Sequence, residues 1–408
     1  MVATPKNCRE ANAVMTSSNT LPAIEQSSTV VKPERWLSVD VLRGLTIGFM
    51  ILVNNGGDER HAFSPLKHAD WNGFTPTDLV FPTFLFLVGI STVFSTAARL
   101  AKGATKQSIL AHAFRRAVIL FLFGLLVNSF PQFHLDTLRV YGVLQRIAIC
   151  YFFISVLYVI SDSWKNKAVI AVAALVAYWA IMRFVPVPGY GVPTHDVPLL
   201  DRDGNLVAWI DRQIFSSAHL YERTRDPEGV LSTLPALATA LFGMLTGLWL
   251  RTGKTIAEKA KGIAIAGVSG LLLGGLWNFT FPINKKLWTS SYVLFAAGWS
   301  LLLLALAIWL VDIRSAHKSD AERRKTFMPF LVFGTNAIAA YVFSELLAGL
   351  IYTIHPQPGV NLARWLDNKI LGVVANPPLA SLIYSLGIVA FCWLAIYTLY
   401  RRRIFLKI

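Results

Sequence analysis

The sequence predicts an all-α protein, a polytopic integral membrane bundle of about ten transmembrane helices. Of its 408 residues, 54% are hydrophobic and only 15% are charged, and the mean hydropathy is +0.52. The apolar residues form runs long enough to cross the hydrocarbon core of a bilayer, which takes about 20 helical residues. A soluble protein of this length does not carry so many such runs, so a lipid bilayer is the expected environment.

Ten apolar segments have the length of a transmembrane helix. The first contains two charged residues near its start, and the ninth is long enough to allow a break around residues 334–336. The segments are residues 37–54, 77–98, 108–129, 140–161, 167–185, 230–250, 261–280, 289–312, 327–352 and 379–400.

Lysine and arginine are denser in alternate connecting segments, including residues 99–106, 251–261 and 314–325. Because basic residues accumulate in cytoplasmic segments, this pattern predicts that the N- and C-termini are both cytoplasmic. The pattern also accounts for the net charge of +15, so nucleic-acid binding is not expected. Residues 1–34 are polar and lack the apolar core of a signal peptide. They are predicted to form a disordered cytoplasmic tail before a membrane domain at residues 35–408.

The segment between the first two spans gathers polar residues that are able to support chemistry. These are Asn54, His68, Asp70, Asn72 and Asp78. Histidine accepts and donates protons near neutral pH, so His68 is a candidate catalytic residue. The alternative is that His68 has a structural role only, as a loop histidine hydrogen-bonded to the backbone. The alternatives for Asp78 and Asp70 are a helix-start acid and a solvated loop charge, and the Asn72 position is typical of a turn. The spacing matches no metal-ligand pattern, so no metal is expected.

Charged residues within the predicted spans are expected to be paired or functional, because isolated charges are costly in lipid. Asp40 and Arg43 are three residues apart, so a local ion pair is the simplest explanation for both. Arg146 is predicted to form a structural bridge between helices, with Glu345 or Asp226 as the partner.

Two further segments carry polar or aromatic residues close to the start of a span. Asp226 and Glu228 precede the sixth span, where a turn and a helix cap are the structural alternative to binding. Trp288 and Tyr292 lie at the start of the eighth span, where aromatic residues commonly mark the membrane interface. The presence of such groups at three span entrances on one predicted side favours a shared site.

Six stretches in this order resemble the heparan-alpha-glucosaminide N-acetyltransferase family of lysosomal enzymes and their bacterial relatives. They extend from about residue 35 to the end of the chain, and as a collinear set they are specific, although each alone is weak. They read RWLSVDVLRGLTIGFMILVNNGG, KHADWNGFTPTDLVFPTFLFLVG, GVLQRIAICYF, DPEGVLSTL, PINKKLWTSSYVL and LYRRRIFLKI.

The resemblance implies an enzyme that moves an acetyl group from cytosolic acetyl-CoA to a glucosamine amine across the membrane. His68 matches the family's catalytic histidine, and Asn54 matches an active-site asparagine. Lys407 matches the lysine of the family's C-terminal Lys-Ile pair, where it suits a CoA phosphate. The resemblance also implies a homodimer.

These considerations define a predicted site. Asp78 is expected to orient the imidazole of His68, and the CoA nucleotide is expected near basic groups at the cytoplasmic mouth. The sequence allows both a direct transfer of the acetyl group from CoA to the amine and a two-step route through a transient acetyl-histidine. The predicted catalytic residues are His68, Asn54 and Asp78. The predicted CoA-binding residues are Arg43, Trp288, Arg402 and Lys407. The predicted sugar-binding residues are Asp70, Asn72, Asp226 and Glu228.

The chain also departs from the lysosomal members of the family. It carries a short polar tail where they have a large luminal domain and an extra span, and its predicted outer loops contain no cysteine. These features favour a bacterial inner-membrane protein that acts on an amino sugar of the envelope or of imported glycan. The alternative function is an amino-sugar permease or sugar-binding membrane protein, because ten spans with internal charges also suit a transporter.

Overall fold

The computed structural model describes residues 36–406, and the regular secondary structure in that range is helical. Nine of its helical segments are long and apolar enough to cross a membrane, and a bent pair makes a tenth. The helices are α1 Leu37–Asn54, α2 Val80–Leu100, α3 Lys106–Ser129, α4 Val143–Ile160, α5 Trp164–Phe184, α6 Leu206–Ile214, α7 Thr233–Leu250, α8 Ile256–Trp277, α9 Ser290–Ile308, α10 Asp320–Thr326, α11 Met328–Thr335, α12 Ala337–Thr353, α13 Leu362–Val374 and α14 Pro377–Arg401. The predicted class, an all-helical integral membrane protein of about ten spans, is confirmed.

The alternation of the spans gives the bundle two ends. α1 finishes and α2 begins at the same end as His68, which we call the His68 end. α2 finishes and α3 begins at the opposite end, which we call the Arg99 end. The long segment between α5 and α7 belongs to the His68 end, where Val187 and Leu200 pack with Tyr178 and Phe281 in a small apolar cluster.

Close contact between helices depends on glycine at several crossings. A Cβ atom at Gly89 of α2 would come within 2.1 Å of the Ala240 carbonyl oxygen, and one at Gly243 of α7 would come within 1.9 Å of the Phe86 carbonyl oxygen. Small residues let helix backbones approach in lipid, where burial of apolar surface alone gives little preference for one contact over another. The backbones of α2 and α7 are therefore packed closely against each other at this crossing.

The predicted break in the ninth span is present between α11 and α12, which are bent by 83° relative to one another. Asn336 lies at the break, and its side chain donates to the Ile404 carbonyl at 3.1 Å and accepts from the Leu406 amide at 3.0 Å. The Asn336 side chain therefore satisfies backbone groups of the chain that follows α14. The break thus fixes the chain that follows α14 against the Arg99 end.

Candidate active site

His68 and Asp78 are hydrogen-bonded at the start of the second span. The His68 Nδ1 atom lies 2.7 Å from Asp78 Oδ1, while Asp78 Oδ2 accepts the backbone N–H groups of Ala69 and Thr75 at 3.1 and 3.0 Å. Thr75 and Asp78 also form a reciprocal capping box. The helix-start interpretation of Asp78 is confirmed, and the same carboxylate also contacts His68. The catalytic role of Asp78 stays a prediction.

The contact with Asp78 indicates which nitrogen of His68 is free for chemistry. A carboxylate accepts from a neutral imidazole only through N–H, so Nδ1 carries the proton and Nε2 keeps its lone pair. The His68 side chain is 43% exposed while that of Asp78 is 1% exposed. The imidazole of His68 is therefore accessible from the His68 end, while the carboxylate of Asp78 is buried beneath it.

Lys285 is a site residue that the sequence did not single out. Its Nζ lies 3.0 Å from His68 Nδ1, 3.2 Å from His68 Nε2 and 3.9 Å from Asp78 Oδ1. Burial lowers the pKa of the Lys285 amine, against the opposing charges of Asp78 and Glu228. In the sequence Lys285 is one of two adjacent lysines, and nothing there distinguishes the one that faces the histidine.

Asn54 lies at the end of α1 and contacts a carboxylate of the broken span. Its Nδ2 donates to Glu345 Oε1 at 3.4 Å, and Glu345 is half-buried on α12. The Asn54–Glu345 pair and the His68–Asp78 pair therefore both lie at the His68 end.

Asp226 and Glu228 are engaged in a buried ionic cluster. The Arg139 guanidinium donates to Asp226 at 2.8 and 2.6 Å and also contacts Glu228. Asp226 Oδ1 accepts the backbone N–H of Glu228 at 2.9 Å, as expected for an acid at a turn. The structural alternative for these two acids is present, and their predicted contact with the sugar stays a prediction.

The expected partners of Arg146 were wrong. Asp226 pairs with Arg139, and Glu345 contacts Asn54. Arg146 is fully buried and donates instead to the Gly229 carbonyl at 3.0 Å and to Ser232. A buried arginine can be held by oxygen dipoles and an aromatic face, so it needs no carboxylate.

Trp288 supplies that aromatic face, with its ring 5.0 Å from the Arg146 guanidinium carbon. It is 1% exposed, donates to Thr239 Oγ1 at 3.1 Å, and packs edge-on against Phe81 and Tyr292. Trp288 and Tyr292 are thus core residues in this structure, not surface aromatics at an interface. The predicted contact of Trp288 with CoA stays a prediction.

The two polar residues predicted between His68 and Asp78 face neighbouring loops. Asp70 pairs with Arg202 while remaining exposed, and Asn72 accepts a hydrogen bond from Asn284 at 3.1 Å. Trp71 lies between them, with the Arg202 guanidinium carbon 5.3 Å from its ring. The loop is thereby attached to the segment after α5 and to the loop that carries Lys285.

A cavity of about 350 Å³ with both basic and apolar lining residues opens toward the Arg99 end. It is lined by Arg43, Arg99, His112 and Arg116, together with serine and threonine hydroxyls of α2 and α4. Arg43 pairs with Asp40 at 2.7 Å, which confirms the predicted local ion pair, and also donates to Ser91. The three arginines make this cavity suited to a polyanion.

A small apolar space of about 10 Å³ lies beside the cavity, on the side nearer to the His68 end. It shares Phe84, Ile147 and Ile338 with the cavity and is also lined by Phe81 and Tyr341. Tyr341 lies one helical turn before Glu345, the partner of Asn54. The space is about as large as one water molecule requires, so a ligand that extended from the basic cavity toward the His68 end would have to displace these side chains.

Two C-terminal residues, Arg402 and Lys407, were predicted to bind CoA, and the structure describes the first of them. Arg402 is exposed just after α14 at the Arg99 end, and Leu406 lines the basic cavity. Lys407 lies outside the described residues. The C-terminal segment thus borders the cavity in which the CoA phosphates were expected.

The fold and the two ends define an integral membrane protein with a histidine–carboxylate pair at one end and a basic cavity at the other. The family model "Heparan-alpha-glucosaminide N-acetyltransferase, catalytic" matches residues 35–274. The chain belongs to this family of acetyltransferases.

Two curated relatives carry the same name. The heparan-alpha-glucosaminide N-acetyltransferase of Mus musculus is 30% identical over 363 residues, which cover 76% of this chain and 53% of the mouse protein. The protein of that name from Homo sapiens is 29% identical over 368 residues, which cover 77% of this chain and 53% of the human protein. The chain thus spans about half the length of these relatives.

Proposed function

We propose that this chain is an acetyl-CoA-dependent N-acetyltransferase that works across the membrane. Acetyl-CoA binds from the Arg99 end, and the amine of a glucosamine-type sugar accepts the acetyl group at the His68 end. The observation that carries the proposal is the arrangement of a basic cavity and a histidine–aspartate pair at opposite ends of the helical bundle.

The chemistry of the basic cavity supports CoA as the donor. CoA carries several phosphate charges, which guanidinium groups bind with charge-assisted hydrogen bonds. Arg116 lines the cavity, and its Nε atom is buried with no hydrogen-bond partner among residues 36–406. Arg99 and His112 adjoin it, with Arg99 Nη2 2.8 Å from His112 Nε2. The pantetheine arm reaches the His68 end only if Phe84, Ile147 and Ile338, which line the far side of the cavity, move apart to admit it.

The His68 end supplies what amide formation requires. The sugar amine attacks the thioester carbonyl, and His68 Nε2 accepts the proton that the nitrogen loses. Asp78 holds the ring and stabilises the imidazolium that results. Asn54 is placed at the same end and donates to the developing oxyanion or orients the amine. The same groups serve a direct transfer and a route through acetyl-His68.

The proposal includes location, orientation and assembly. Both termini lie on the acetyl-CoA side of a bacterial inner membrane, which the basic residues of alternate connecting segments support. The acceptor is an amino sugar of the envelope or of imported glycan. The protein forms a homodimer, as the family resemblance implies.

Thiol release from acetyl-CoA by purified protein in detergent tests the proposal. Release that requires both glucosamine and His68 is expected, so His68→Ala loses it. His195→Ala is a matched control, because His195 forms a similar histidine–aspartate pair with Asp196 at 2.6 Å on the exposed surface. Absence of release by folded protein, together with uptake of labelled sugar into vesicles without acetyl-CoA, would establish the permease instead.

A further inference from the structure

The amino group of Lys285 occupies the space beside the catalytic histidine. Its distances of 3.0 and 3.2 Å to the two ring nitrogens of His68 are nearly equal, so it adjoins the ring without being the dedicated partner of either nitrogen. Asp78 already contacts Nδ1 at 2.7 Å. Lys285 therefore lies within hydrogen-bond reach of Nε2, where His68 must receive a proton.

The loop that carries Lys285 is held in place by its own hydrogen bonds. The backbone N–H of Asn284 donates to the Thr289 hydroxyl at 3.0 Å, and the Asn284 side chain accepts the Leu287 N–H at 2.9 Å. The Trp288 N–H donates to the Lys285 carbonyl at 3.0 Å. Because this backbone is hydrogen-bonded on both sides of Lys285, the fold holds the Cα atom of Lys285 beside His68, within reach of its side chain.

The neighbouring lysine provides an internal comparison. The Lys286 Nζ pairs with Glu222 at 2.7 Å and points into the segment between α6 and α7. The two amines share a backbone and a chemical type, yet only that of Lys285 adjoins His68. Chemistry that depends on the active site must therefore discriminate between them.

An acceptor amine has to meet two conditions. It must lie within hydrogen-bond distance of the base, and it must be neutral when it attacks the thioester. Lys285 meets the first by its position. Burial lowers the pKa of its amine, helped by Lys286 and opposed by Asp78 and Glu228, so the neutral fraction at a given pH exceeds that of a solvated lysine.

We propose that Lys285 is a self-acetylation site, which takes the acetyl group of bound acetyl-CoA when no acceptor sugar occupies the His68 end. This inference rests on the proposed function. The Lys285 nitrogen forms a bond to the acetyl carbonyl carbon as the carbon–sulfur bond breaks. The nitrogen loses a proton to His68 Nε2, which passes it to the departing thiolate, so the products are acetyl-lysine and CoA.

Acetylation of Lys285 leaves the enzyme in an inactive form that does not return to the active one. An amide does not return its acetyl group under these conditions, and the modified side chain fills the acceptor position without its charge. The sugar therefore has two effects at this site, since it receives the acetyl group and protects Lys285 from receiving it.

Peptide mass spectrometry of the full-length protein in detergent tests the inference. After incubation with acetyl-CoA and no sugar, acetyl occupancy at Lys285 is expected to exceed that at Lys286 by roughly tenfold or more, because only Lys285 is oriented by the site. His68→Ala should remove the difference, and added glucosamine should suppress modification of Lys285 in the wild type.

A second measurement tests whether Lys285 is acetylated or only lies close to His68. Preincubation with acetyl-CoA should progressively lower the initial rate of the wild type when glucosamine is then added. Lys285→Arg keeps the positive charge and cannot be acetylated in this way, so its initial rate should not decline with preincubation. An equal decline in both proteins would overturn the inference.

The results also separate this inference from the proposed function. Equal acetylation of Lys285 and Lys286, or an unmodified Lys285 in a preparation that acetylates glucosamine, overturns self-acetylation alone. A preparation that acetylates neither the sugar nor Lys285 overturns both.

Discussion

Asp78 uses the two oxygens of one carboxylate for different tasks. Oδ1 contacts His68, while Oδ2 accepts the N–H groups of Ala69 and Thr75. The Thr-Pro-Thr-Asp order predicts the helix start from sequence. It does not predict that the loop sets His68, ten residues earlier in the chain, against the free oxygen, because that depends on packing of the loop.

Asp78→Asn is expected to lower kcat for sugar acetylation by about a hundredfold or more, because an amide neither fixes the required tautomer nor stabilises the imidazolium. Steady-state rates measure this. Glu258→Gln is the control, since Glu258 forms the same capping box at the start of α8, with Thr255. A loss of helix capping alone would affect both proteins alike, and equal loss of activity in the two would contradict a role for Asp78 through His68.

Arg116 lines the basic cavity at the Arg99 end, and its Nε atom has no hydrogen-bond partner in the described part of the chain. Its replacement in Arg116→Ala is expected to raise the KM for acetyl-CoA on the order of tenfold, because a charge-assisted contact with phosphate is lost. Arg115→Ala is the matched control, because Arg115 is adjacent, exposed and not among the cavity-lining residues. Rates at varied acetyl-CoA and saturating sugar give the comparison, and equal KM values for the two variants would argue against the cavity as the CoA site.

At the scale of the elements, most of the fold could be predicted from the sequence. Apolar runs identified the spans, and the polar residue Asn336 within a long run marked the break. The close helix–helix crossings were harder to predict. Glycines occur throughout the chain, and only some of them lie so close to the backbone of a neighbouring helix that a Cβ atom would clash. A Cβ atom at Gly243 would meet the backbone of Phe86, while one at Gly275 would meet no neighbouring group within 4 Å in the described part of the chain.

Gly243→Ala is expected to destabilise the protein by about 1–3 kcal/mol, because the added methyl group forces α2 and α7 apart. Gly275→Ala adds the same methyl group in open space and should leave the melting temperature unchanged or slightly higher. Thermal unfolding in detergent compares them. Equal melting temperatures would show that the α2–α7 crossing is not tightly packed.

At the scale of the whole molecule, the candidate site is spread over segments far apart in sequence. His68 and Asp78 lie in one motif, but Lys285 arrives from the loop before α9 and Glu345 from the broken span. The histidine could be found from the sequence because a family motif carries it. The partners of Arg146 and the position of Lys285 depend on helix packing, which the order of residues alone does not reveal.

The separation of the two ends is the central feature of the proposed mechanism, because a donor and an acceptor that never share a compartment can react only through the protein. Proteoliposomes with acetyl-CoA confined to one side and labelled glucosamine to the other test this directly. The mechanism predicts acetylated sugar in the compartment opposite acetyl-CoA, formed only by protein with its Arg99 end facing the donor and abolished in His68→Ala. Product formed only when both substrates are on the same side would contradict transfer across the membrane.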